Sequence, residues 1–154
     1  TYQSVARRGR GLVRALLDVN VLIALLDQNH ISHDPAWHWM ESNIESGWAT
    51  CPITQNGCVR IMSQPTYPNQ HTAGEISQRL RQATHQEFHQ FWADEVNILE
   101  PAIVNWDLLI GPRQLTDIYL LALAVKNNCR FITFDTRIST QLVHGAASEH
   151  LTVI

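Results

Sequence analysis

Three aspartates stand where carboxylates can do chemistry. Asp18 closes the apolar run Ala15-Leu16-Leu17, and Asp135 closes Phe131-Ile132-Thr133-Phe134. Asp117 follows Thr116 at the start of a third apolar stretch. An acid at the end of a buried strand emerges at the edge where open α/β sheets bind ligands. An acid in the first turn of a helix is favoured by the helix dipole and the free N–H groups there. Two carboxylates about 4 Å apart repel by roughly 4 kcal/mol at an effective dielectric near 20. Three that converge must therefore hold protons or a cation. Oxygen donors without His or Cys select a hard, octahedral ion, Mg²⁺ or Mn²⁺. Such an ion holds a phosphate oxygen and acidifies a bound water, so the reaction expected is hydrolysis of a phosphodiester. That chemistry uses water, not the ribose 2′-OH, and does not by itself choose RNA over DNA.

The elements that must position these acids alternate along the chain. Arg14–Asp18 reads as a buried strand and Val19–Leu26 as the helix beneath it. Asp34-Pro35 starts a helix that Gly47 ends, and Trp48–Ile53 is a second strand. Thr54 caps a helix to about Ser63, and Gln64–Thr72 is a loop marked by Pro65 and Pro68. Ala73–Thr84 and Gln86–Trp92 read as polar-faced helices, and Asn97–Glu100 as a weak strand. Thr116 caps the helix Asp117–Asn127, Arg130–Phe134 is a strand, Arg137–Val143 a helix and Leu151–Ile154 a last strand. Apolar strands alternating with helices imply a mostly parallel sheet covered on both faces, a three-layer α/β/α sandwich. The expected organisation is one domain over residues 14–154 behind a flexible extension, residues 1–13. A helix leading into the strand before Asp135 is expected to start at the opposite edge. Asp117 then joins the other acids only if the Arg113–Thr116 segment rises back to them.

Composition narrows the class. The chain has 154 residues, 45% hydrophobic and only 16% charged, against a usual charged share of about a quarter. That suits one sizeable core and excludes disorder. The formal net charge of -3 excludes a protein that coats nucleic acid through bulk positive charge. Cys51, Cys58 and Cys129 have no C-x-x-C spacing, which fits buried thiols in a cytoplasmic protein. No apolar stretch is long enough for a membrane span.

The motifs together resemble a PIN-domain nuclease, and within it a VapC-type toxin ribonuclease. They are Leu17-Asp18-Val19-Asn20-Val21-Leu22, Ile53-Thr54-Gln55-Asn56-Gly57, Ser63-Gln64-Pro65-Thr66-Tyr67-Pro68, Thr116-Asp117-Ile118-Tyr119-Leu120-Leu121-Ala122 and Phe134-Asp135, spread over Arg14 to Val143. The resemblance implies Mg²⁺-dependent cleavage of RNA and a VapB-type antitoxin as partner. It also implies a topology that brings Asp117 to the other acids. It assigns Asp18, Asp117 and Asp135 as the catalytic, metal-binding acids, Asp135 as a direct or water-mediated ligand. Asn20 orients the first aspartate, Thr116 bonds a ligand water or a phosphate, and Arg113 contacts the phosphate. Gln55 departs from the pattern, because many members carry Glu there. A neutral carboxamide lowers metal affinity and motivates an alternative, a PIN-fold RNA- or partner-binding module with weak or no catalysis. A haloacid-dehalogenase-like phosphatase ranks lower, since Asn20 stands where its second aspartate belongs and Lys126 sits late on its helix.

Other signals read as structural. His85 and His89 are four apart but lack the H-E-x-x-H order, so a polar helix face is the expectation. Trp37, Trp39 and Trp48 suit a core or a homodimer interface better than base stacking. Glu41 reads as a solvated helix residue, and Arg7, Arg8, Arg10 and Arg14 as one basic cluster on the leading segment.

Overall fold

A computed structural model describes residues 13–154. Five strands, β1 (Ala15–Leu17), β2 (Trp48–Thr50), β3 (His89–Phe91), β4 (Arg130–Thr133) and β5 (Leu151–Val153), form one sheet in the order β3-β2-β1-β4-β5. Every pairing is parallel. The helices are α1 (Val19–Leu26), α2 (His33–Asn43), α3 (Pro52–Met62), α4 (Ala73–Thr84) and α5 (Leu115–Lys126). This is the expected three-layer α/β sandwich. The period-two alternation of the strands sorts the two core layers. Leu16, Ala49 and Phe131 pack with α5, through Ile118, Leu120, Leu121 and Leu123. Ala15, Leu17, Trp48 and Ile132 pack on the other face, against Val21, Leu22, Met62, Ile76 and Leu80.

The order places β1 beside β4, with the chain winding outward from that pair in both directions. This is the topological switch point, where a crevice opens beyond the carboxyl ends of the strands. The start of α5 lies at this same edge, which corrects the expectation for Asp117. Only residues 127–129 separate α5 from β4. The helix must therefore end where β4 begins and start where β4 exits. No special rise of the Arg113–Thr116 segment is needed.

Three further expectations change. Residues 86–92 do not form a helix: α4 stops at Thr84, and His89–Phe91 is the edge strand β3. The open edge of β2 captures it, with the Trp92 N–H donating to the Thr50 carbonyl at 2.8 Å. His85 and His89 therefore share no helix face. Asn97–Glu100 is not a strand, and Leu99 there is exposed. The helix expected over Arg137–Val143 shrinks to a single 3₁₀ turn, Thr140–Leu142. Helix starts also move: Ser32 rather than Asp34 precedes α2, Gln114 rather than Thr116 precedes α5, and Cys51 precedes α3. Thr54 lies three residues inside α3, and its hydroxyl accepts from the Cys51 N–H at 2.9 Å.

Arg14 also leaves the basic cluster. Its guanidinium donates to the carbonyls of Phe88 at 2.6 Å and Trp48 at 3.2 Å, tying the starts of β1, β2 and β3 together. Gly47, at φ +87°, leaves the space for it, since a Cβ there would stand 2.5 Å from the guanidinium. Arg7, Arg8, Arg10 and all but the last residue of the expected extension lie outside the described residues. Val13, the exception, packs against the core. Trp48 is buried, Trp39 lies under the Arg130 guanidinium at 5.4 Å, and Trp37 is exposed with its indole N–H on Glu41. Glu41 is thus a surface residue of α2. Among the described residues no helix is long and apolar enough to cross a membrane.

Candidate active site

Asp18 is the buried acid of the site, only 5% exposed. Its backbone continues β1 in extended geometry and its carboxylate also caps α1, accepting from the Val19 N–H at 2.7 Å. The strand register pairs Leu17 with Ile132, so the next residues, Asp18 and Thr133, stand side by side on the α5 face. The Thr133 hydroxyl donates to Asp18 Oδ2 at 2.7 Å. The same hydroxyl accepts from the Asp135 N–H at 3.0 Å. One buried side chain thus links the exits of β1 and β4. Burial pushes the Asp18 carboxyl above its ordinary range, Thr133 and Val19 oppose this, and Asp135 adds to it.

Asp117, in the first turn of α5, faces this edge. Its carboxyl is pushed up to about 6, first by burial and then by the charges of Asp18 and Asp135, with Arg137 opposing. The three predicted acids are therefore brought within electrostatic reach of one another. Asp135 behaves differently, being held below the usual carboxylate range by hydrogen bonds from Arg137. Arg137 grips it in a fork, Nε to Oδ1 and Nη2 to Oδ2, both at 3.0 Å.

Two hollows meet the acids. One, of about 500 Å³, is lined by Asp18, Asn20, Asn56, Arg60, Asp94 and Thr116, among others. Asn20 and Thr116 line this hollow with Asp18, but the bonds that orient the Asp18 carboxylate come from Thr133 and the Val19 N–H rather than from Asn20. The other, of about 440 Å³, is lined by Arg113, Gln114, Asp117, Asp135, Arg137 and Ile138 among others. Arg113 accordingly lies beside the acids, where a phosphate contact was expected. Gln55 does not line either hollow. Its carboxamide donates to the Thr50 hydroxyl at 3.0 Å, and it faces a neighbouring groove between α3 and α4.

Asp94, Arg60 and Arg137 line the site without having stood out in the sequence. Asp94 follows β3 and reaches the carboxyl edge only because residues 89–91 are a strand. An acid three residues after Phe91, the last residue of β3, would have been the signal, had the strand been recognised. Arg60 follows Gly57, Cys58 and Val59 along α3 and reads as an ordinary helix residue. Lys126, which a phosphatase would need near Asp18, sits at the far end of α5 and donates to the Glu95 carbonyl at 2.7 Å. Among the described residues no three His, Cys, Asp or Glu side chains already stand close enough to enclose a metal ion. The donors nonetheless suit Mg²⁺ or Mn²⁺, which take one or two carboxylates and keep several waters. Asp18 and Asp117 are two such carboxylates, each raised by its surroundings in the way a nearby cation would reverse.

Comparison with known proteins shows the family and the fold. The PIN domain family model matches residues 15–141. Ribonuclease VapC44 of Mycobacterium tuberculosis is 48% identical over 142 residues, covering 92% of this chain and all of the relative. Ribonuclease VapC39 of the same organism is 39% identical over 85% of this chain and 95% of the relative. In fold, the chain resembles the crystal structure of M. tuberculosis VapC20, described as a sarcin-ricin loop cleaving toxin. The TM-score is 0.56 at 14% identity, over 80% of this chain and 91% of that one. It also resembles a chain of VapBC2 from Rickettsia felis, solved bound to a promoter DNA fragment, with TM-score 0.54 and 13% identity over 79% and 88%. The chain belongs to the PIN domain family and, within it, to the VapC ribonucleases.

Proposed function

We propose that the chain is a Mg²⁺-dependent endoribonuclease, the toxin of a type II toxin–antitoxin pair. The observation that carries this is the charge of the switch point. Asp18 and Asp117 are both raised by burial, and Asp117 further by the other two acids. Keeping such acids ionised together is unfavourable until a cation joins them. Asp18 and Asp117 would hold the ion, with Asp135 acting directly or through a water. When bound, it supplies an acidified water as nucleophile and neutralises the leaving oxygen.

The chain's own residues do the rest. Thr133 and the Val19 N–H fix the Asp18 carboxylate in one orientation. Asn20 and Thr116, in the same hollow, hydrogen-bond a water or a phosphate oxygen. Arg113 meets the phosphodiester from the adjoining hollow. RNA as substrate is supported by the relatives named as ribonucleases, and Mn²⁺ is expected to replace Mg²⁺. The proposed partners are a VapB-type antitoxin, as in the VapBC2 complex, and a second copy of the chain. A basic antitoxin side chain placed among the acids would block the site. The free cysteines, all buried, suit the cytoplasm as the place of action.

Expression of the chain followed by sequencing of cellular RNA ends, with Asp18→Asn as control, tests this reading and identifies the substrate. New RNA ends that require Asp18 support it. Their absence favours the alternative of an RNA- or partner-binding module, which Gln55 motivates.

A further inference from the structure

Arg137 has a role the acids alone do not explain. Its fork on Asp135 is doubled by its own N–H, which donates to Asp135 Oδ1 at 2.9 Å. Both oxygens of Asp135 are thereby engaged by one residue. Yet the Arg137 side chain is 85% exposed, and among the described residues its guanidinium bonds nothing else. An ion pair this open to water is weak, worth at most a few-fold in an equilibrium. Arg113, Asp117 and Asp135 line the same hollow as Arg137. The guanidinium fork fits two phosphate oxygens as well as it fits a carboxylate.

Resting on the ribonuclease reading above, we propose that Arg137 exchanges Asp135 for a phosphate of the RNA, and so releases Asp135 to the metal site. Arg137 and a divalent cation compete for the same carboxylate oxygens. A phosphate that draws Arg137 away removes the competitor. RNA and metal then strengthen each other's binding, and the coupling is reciprocal by thermodynamic necessity. Arg137 is accordingly a substrate-binding residue that holds down metal affinity while no RNA is present.

The test uses the full chain and two binding measurements that need no turnover. Free Mn²⁺ is titrated by electron paramagnetic resonance without RNA, and a short fluorescein-labelled single-stranded RNA is titrated by anisotropy in EDTA. Arg137→Ala is expected to bind Mn²⁺ several-fold more tightly and RNA roughly tenfold more weakly, consistent with loss of one charge-assisted phosphate contact. Arg137→Lys keeps the charge without the fork and should fall between wild type and Ala in both. If Ala fails to fold, Lys and Gln variants carry the same comparison. A purely structural arginine in the turn after β4 would move neither affinity. Mn²⁺ affinity that does not rise, or RNA affinity that does not fall, overturns the proposal. If Arg137→Ala cuts RNA as fast as an active wild type, this inference alone fails. A wild type that cuts no RNA takes the ribonuclease reading down first, and the exchange with it.

Discussion

The Thr133 hydroxyl donates to Asp18 across 115 residues of sequence, at 2.7 Å, and accepts from the Asp135 N–H. This single buried oxygen sets the spacing between the acids of β1 and β4. Thr133→Val keeps the shape and removes both bonds. It leaves a buried carboxylate with one partner fewer, at a cost of about 1–3 kcal/mol. Urea unfolding should show that loss. The acid limb of the cleavage–pH profile should also move to higher pH, because the bond that lowers the Asp18 pKa is gone.

The raised carboxyl of Asp117, due first to burial and then to its acidic neighbours, makes a prediction with a definite sign. Its carboxyl is raised from 3.8 to about 6 in the folded chain. Between those values the native state holds a proton that the unfolded state has lost. Stability from this group is therefore present at low pH and is lost as pH rises from about 4 to about 6. Asp117→Asn removes the loss. In EDTA above pH 6 it should be more stable than wild type, by on the order of 3 kcal/mol. It should nonetheless cut no RNA. A variant that is both inactive and less stable in EDTA would mean that Asp117 is a structural residue.

Gln55 is bound to Thr50, whose hydroxyl also lies 2.8 Å from His89 Nε2. Burial holds the His89 pKa down, with Arg14 adding to this and a bond to the Thr84 backbone opposing. Gln55→Glu replaces a donor to Thr50 with an acceptor. It should cost about 1 kcal/mol of stability and create no gain in cleavage. Thermal melts and initial rates check both halves. A large gain in rate would show that the side chain at 55 turns toward Asp18, as the binding-module alternative requires.

Gly47 couples local backbone to the sheet. At φ +87° an alanine is strained, and its Cβ would displace the Arg14 guanidinium from the carbonyls of Phe88 and Trp48. Gly47→Ala should destabilise by about 1–3 kcal/mol, read from urea unfolding, and loosen β3 first in hydrogen exchange.

Much of this was legible in the residues. Uninterrupted apolar runs marked β1, β2 and β4, and an acid after β1 and after β4 put both at the ligand edge of the sheet. The family motifs supplied Asp117, which a misjudged helix direction had set apart. What was not legible has physical causes. The strand β3, His-Gln-Phe, is an edge strand with two exposed residues, so it carries no buried period-two pattern. It exists because β2 offers an unpaired edge, which no local pattern records. Asp94 was hidden with it. The expected helix at Arg137 gives way because Asp135 accepts the Arg137 N–H and bends the chain, a competition that short polar side chains regularly win after a strand.

If the acids at the switch point cut RNA through a divalent ion, cleavage must require both the ion and Asp18. The direct measurement is cleavage of RNA by the purified chain, free of any antitoxin, with Mg²⁺, Mn²⁺ or EDTA, beside Asp18→Asn. Wild type is expected to cut with either metal, with no cutting in EDTA and none by Asp18→Asn. Intact RNA with both metals, or full activity in Asp18→Asn, would contradict that expectation.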